Sequence, residues 1–147
     1  MSLKNRLDDM MIQFMAHHSA RIIRITLSIV FLWFGMLKVI GVSPVADLVA
    51  RVVPWFPPEH FIPILGVWEM VVGFGLMLGI ALRFTLFLFW LLLAGTFSVL
   101  VFEPNLTFQQ GNPLLLTFEG EFIVKNLVLI SAGLVIGGTL DHTHRKG

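Results

Sequence analysis

Residues 84–102 read FTLFLFWLLLAGTFSVLVF, nineteen consecutive positions without a charge. A helix needs about 20 apolar residues to cross the roughly 30 Å hydrocarbon layer of a bilayer, so this stretch reads as a transmembrane helix. Three more stretches of similar length read the same way: residues 21–40, 61–82 and 121–138. The chain of 147 residues is 56% hydrophobic and 13% charged, with a mean hydropathy of +0.88. Soluble domains carry about one quarter charged residues. An all-α membrane protein follows, a bundle of four transmembrane helices forming one domain.

The segments between the spans are short. Residues 3–17 place Leu3, Leu7, Met10, Met11 and Phe14 at helical spacing opposite Lys4, Arg6, Asp8 and Asp9, which predicts an interfacial helix on the membrane surface, with a frayed polar leader as the alternative because the charges are of both signs. Residues 45–60 start amphipathic and turn proline-rich at Pro54, Pro57 and Pro58, which predicts a surface half-helix anchored by Trp55 and Phe56. A tight turn is expected at Arg83. Residues 105–120 read as a loop, with Gly111 and Pro113 as turn signals and Leu114 to Leu116 dipping back toward the bilayer. Residues 141–147 read as a polar, disordered tail. The polar leader and the lack of a clean cleavage site predict that the first span is retained.

Composition narrows the chemistry. A net charge of +1 implies no nucleic-acid partner, and with no cysteine there is no thiolate metal site or thiol exchange. The five histidines lie outside the spans, so paired axial haem ligands are not expected, and His142 and His144 read as part of a solvated tail rather than a metal site. Asn105 to Thr107 matches a glycosylation acceptor, relevant only in a eukaryotic secretory setting. No phosphate loop, zinc motif or Ser/His/Asp set is visible.

Lysines and arginines collect on the cytoplasmic side of membrane proteins. One side holds Lys4, Arg6, Arg21, Arg24, Arg83, Arg145 and Lys146, and the other only Arg51, so both termini are expected in the cytoplasm. Three charges lie well inside the spans: Lys38, Glu69 and Lys125. Each costs at least about 2.5–3.5 kcal/mol at the centre of a membrane helix. Alternating span directions bring all three into the outer leaflet, with Thr96 and Ser98 at similar depth. A polar constellation of Lys38, Glu69, Lys125 and Asn126 is therefore expected.

Each member has a simpler alternative. Lys38 is near enough to its helix end to snorkel to the headgroups. Glu121 and Lys125, four apart, could be a surface pair on one helix. Glu69 has apolar neighbours and stands two turns from water, so a structural salt bridge competes with a substrate, proton or quinone role. Gly66, Glu69 and Gly73 share one helix face, where small residues admit a neighbouring backbone and turn Glu69 toward protein.

The stretch from Arg24 to Lys38 (RITLSIVFLWFGMLK), Gly66-Val-Trp-Glu69 followed by Gly73, and Lys125-Asn-Leu-Val-Leu resemble the DoxX-like family of integral membrane proteins. The likeness is nearest to its branch of bacterial inner-membrane proteins linked to reactive-chlorine resistance. It covers residues 21–138, and the Gly-x-x-Lys and Gly-x-x-Glu motifs carry most of it. The family commonly has Lys-Asp where this chain has Lys125-Asn126, which removes a second buried acid. The resemblance implies a four-helix bundle in the bacterial inner membrane. Its members include proteins associated with thiosulfate:quinone oxidoreduction and with oxidative stress.

Three functions stay open at this level. One is a membrane component of a redox or oxidative-stress system, more expected as a subunit than as a stand-alone enzyme, with a quinone- or lipid-like ligand in the outer leaflet and a redox partner protein. A second is a small-solute or proton-coupled transporter, for which a homo-oligomer would add spans. The third is a non-catalytic membrane scaffold.

Overall fold

The computed structural model describes residues 3–144. Helix α1 runs Leu3–Val39, α2 Ala46–Val52, α3 Pro58–Leu78, α4 Leu82–Phe102, α5 Pro104–Thr107, α6 Phe118–Lys125 and α7 Leu127–His144. Four helical segments are long and apolar enough to cross a membrane: 5–39, 58–78, 82–102 and 118–140. The chain is a multi-pass, all-α membrane protein. The described residues contain no strand, only an isolated bridge between Phe108 and Leu116.

Helix ends are set by local chemistry. After α1, Gly41 takes a left-handed backbone (φ 77°), with its N–H on the Lys38 carbonyl at 3.3 Å and the Val42 N–H on the Leu37 carbonyl at 3.0 Å. This paired closure is the glycine-terminated Schellman arrangement. It fixes Lys38 in the final turn of α1, where a cation also complements the helix dipole. Pro58 opens α3 at a position where a missing N–H does no harm. The Thr117 side chain caps α6 by accepting from the Gly120 N–H at 3.0 Å, and it donates to the Leu106 carbonyl at 2.6 Å.

Several boundaries differ from the sequence reading. No separate interfacial helix forms: α1 is continuous for 37 residues because nothing between His17 and Arg21 breaks it. At 1.5 Å per residue it is about 55 Å long, and Asn5 to His17 stand exposed beyond the packed region. The α3–α4 turn is at Gly79 to Ala81, not Arg83, because Gly79 (φ 67°) ends α3 with a left-handed backbone. Arg83 instead lies in the first turn of α4. The 105–120 connection is more ordered than a plain loop: α5 and a short 3-10 turn at Gln109–Gly111 are tied back by Gln109 and Thr117 to the Leu115 and Thr107 carbonyls. The fourth span breaks at Asn126, which separates α6 from α7. Helix α7 extends to His144, into the stretch expected to be a disordered tail; residues 145–147 and the side chains of His142 and His144 lie outside the described residues.

The core forms where four helices meet: Leu27 and Phe31 from α1, Val72 and Leu76 from α3, Leu86, Phe89 and Leu93 from α4, and Ala132 and Ile136 from α7. Phe89 is fully buried and tilted against Phe31 with ring centroids 5.6 Å apart. A side-chain carbon at Gly133 would stand 2.5 Å from the Phe89 ring, so α7 presents its glycine where α4 presents its largest core side chain. Trp68 ties α3 to α4 by donating its indole N–H to the Leu88 carbonyl at 3.2 Å.

Candidate functional site

Helices α1 and α3 make the most intimate contact in the bundle. A side-chain carbon at Gly35 would stand 2.5 Å from the Gly66 carbonyl oxygen, and one at Gly66 would stand 2.6 Å from the Gly35 oxygen. Two turns further along α3, Gly73 lies against Leu32. These pairs ascend α1 as they descend α3, so the helices are antiparallel, and only glycines allow backbones so close.

This crossing places the ion pair. Lys38 is three residues after Gly35, and Glu69 three after Gly66. Three residues rise about 4.5 Å, so in antiparallel helices the two Cα atoms are offset by about 9 Å along the axis. Helical side chains lean toward their own N-terminus, which here means toward each other. The Lys38 stem lies directly over Gly66, whose missing side chain gives it room: a carbon there would meet Lys38 Cβ at 2.8 Å. The lysine Nζ then donates to Glu69 Oε2 at 2.8 Å.

The pair is well shielded. Lys38 is only 5% exposed, and the Glu69 side chain 17%. Glu69 Oε1 takes no hydrogen bond among the described residues, yet it is not shut off from the surface. One carboxylate oxygen is thus engaged by lysine and the other takes no hydrogen bond among the described residues. Lys38 holds three N–H donors, of which the carboxylate uses one.

The expected four-residue constellation reduces to this pair. Lys125 stands on the outside of α6, 76% exposed, and its Nζ lies 3.5 Å from Glu121 Oε2 in an i,i+4 pair. Asn126 donates to the Phe122 carbonyl of its own helix at 3.2 Å. Thr96 donates to the Leu92 carbonyl at 3.1 Å and Ser98 to the Gly95 carbonyl at 2.6 Å, both within α4. Lys125→Met is accordingly expected to shift stability by no more than about 0.5 kcal/mol, read as an unchanged unfolding midpoint in detergent.

Two features escaped the sequence reading. Gly35 is as important to the crossing as Gly66, and the signal was present in the matched spacing of Gly35-x-x-Lys38 and Gly66-x-x-Glu69. Arg24, which the sequence marks as a cytoplasmic-side cation, runs its guanidinium to Gly79 at the end of α3, where Nη1 would stand 3.2 Å from a side-chain carbon on the glycine. A cation beside the last carbonyls of a helix is favourably placed.

Comparison of the chain with models of known families, with curated proteins and with solved structures finds no match.

Proposed function

We propose that this chain is the membrane component of a bacterial inner-membrane redox or oxidative-stress system, with a quinone- or lipid-like ligand held at Lys38 and Glu69 in the outer leaflet. The observation that carries this reading is the half-used carboxylate: Oε2 is bound to lysine while Oε1 takes no hydrogen bond among the described residues. A ligand hydroxyl can donate to Oε1, and a ligand carbonyl can accept from an unused Lys38 N–H. This donor–acceptor pattern suits a quinone and its reduced form. A bound quinone would supply the redox chemistry, and the chain's own residues would orient it and hold a proton at Glu69. The family resemblance supports the same assignment, as does the excess of basic residues on the side of the termini, which favours cytoplasmic ends.

Glu69→Gln keeps the shape and an acceptor for lysine but removes the charge. Quinone extracted from the purified variant should fall severalfold relative to wild type, at equal protein recovery. Unchanged quinone content would sink this reading.

A second reading, a non-catalytic scaffold, is favoured by the position of the pair beside the Gly35–Gly66 contact. There the charges would serve to set the register of α1 on α3.

A further inference from the structure

The end of the bundle that carries α2 and α6 contains a groove of about 210 Å³, lined by neither Lys38 nor Glu69. Three charged side chains stand along it: Asp47 and Arg51 from α2, and Glu119 from the first turn of α6. Asp47 and Arg51 are one helical turn apart in the favourable order for an ion pair, yet Arg51 pairs with neither Asp47 nor Glu119 among the described residues. Between the charges the walls are apolar, from Leu48, Leu106, Phe118 and Phe122.

The charge pattern selects the occupant. A simple anion drawn to Arg51 would meet two carboxylates, and a simple cation drawn to the carboxylates would meet the guanidinium. A molecule carrying both signs a few ångströms apart satisfies all three. The depth points to the same chemistry: α2 connects two spans at the membrane boundary, and Trp55, just beyond it, is largely exposed, as tryptophans of the headgroup layer are. The groove is also smaller than the roughly 300–1,000 Å³ that encloses a drug-sized molecule, so it fits a head and not acyl chains.

We infer that this groove binds the head of a zwitterionic aminophospholipid of the phosphoethanolamine type. The phosphate lies on Arg51, whose planar fork matches phosphate oxygens. The ammonium lies between Asp47 and Glu119, and the glycerol and first methylenes lie on Leu48 and Phe118. The site is separate from the Lys38–Glu69 pair and does not depend on its function.

Native mass spectrometry of the full chain in mild detergent, offered phosphatidylethanolamine and phosphatidylglycerol with identical acyl chains, tests the assignment. Wild type should retain the ethanolamine lipid about tenfold better. Arg51→Gln should weaken that retention about tenfold, the loss of one charged hydrogen bond. Arg51→Lys, which keeps charge without the fork, should fall in between. Asp47→Asn with Glu119→Gln should erase the preference between the two lipids. Equal retention of both lipids by wild type, or unchanged retention by Arg51→Gln at an unaltered unfolding midpoint, would overturn the proposal. So would displacement of the ethanolamine lipid by inorganic phosphate alone, which would mark a plain anion site.

Discussion

Lys38→Met is expected to destabilise the folded protein by about 3–5 kcal/mol, because it leaves the Glu69 carboxylate buried with no partner. Against a total stability of about 5–15 kcal/mol, that loss should appear as a steep drop in folded yield and a lower unfolding midpoint in detergent. Glu69→Leu should do comparable damage by stranding the ammonium, whose stem is trapped over Gly66 with 5% exposure. The double variant Lys38→Met with Glu69→Leu separates the two readings. Replacing both members of a buried pair by apolar groups of similar size is often neutral or stabilising, so stability should return to near wild type. If the pair only sets helix register, such a variant could still assemble and function. If the pair holds a quinone, the protein should be folded and empty. Stability that stays as low in the double variant as in Lys38→Met would mean the lysine acts through something other than Glu69.

Burial at Lys38 and Glu69 was legible in the sequence because a charge inside an apolar run has so few affordable surroundings. Their pairing was legible from alternating span direction. Lys125 takes the surface-pair alternative with Glu121 and not the constellation, because direction gives depth and not rotation. In water, an apolar stripe shows which way a helix faces; in a bilayer, lipid and protein core are equally apolar, and α4 and α7 carry hydrophobic residues all round. Rotation then has to come from the rare polar or small residues. Gly66 and Gly73 supplied it for α3. In the fourth span Gly133, which meets Phe89, carried the rotational cue, whereas Lys125 lies on the outside of α6 beside Glu121.

Helix boundaries show the same physics. The end of α1 was readable from Gly41 and Pro44, since a left-handed residue and a proline each stop a helix for a covalent reason. Gly79 falls inside the second span expected from hydropathy, residues 61–82, though its actual role is to end α3. Spacing alone does not distinguish a glycine that admits a neighbour from one that adopts a positive φ. The amphipathic start of the chain has the composition of a surface helix, and it lacks the breaker that would let it turn away from the first span.

The glycine crossing leads to a prediction whose sign depends on position. Gly→Ala inside a helix gains about 0.8–1 kcal/mol of intrinsic propensity when the added methyl meets nothing. At Gly95, in the middle of α4, there is no atom within 4 Å of that methyl, so Gly95→Ala should stabilise by up to that amount. At Gly66 the same methyl would stand 2.6 Å from the Gly35 carbonyl oxygen and 2.8 Å from Lys38 Cβ. A backbone oxygen cannot rotate away, so α1 and α3 must separate. Overpacking of this kind costs about 1–3 kcal/mol, which outweighs the propensity gain in most of its range. The separation also pulls Lys38 from Glu69, so the net loss should exceed the steric cost alone. Gly66→Ala should therefore lower the unfolding midpoint while Gly95→Ala raises it, and Gly35→Ala should behave like Gly66→Ala because its methyl would stand 2.5 Å from the Gly66 oxygen. Combining Gly66→Ala with the apolar pair Lys38→Met and Glu69→Leu should recover only the part of the loss that came from the stretched ion pair. Full recovery would show that the backbone contact contributes nothing by itself, and no recovery would show that the ion pair survives the separation of the helices.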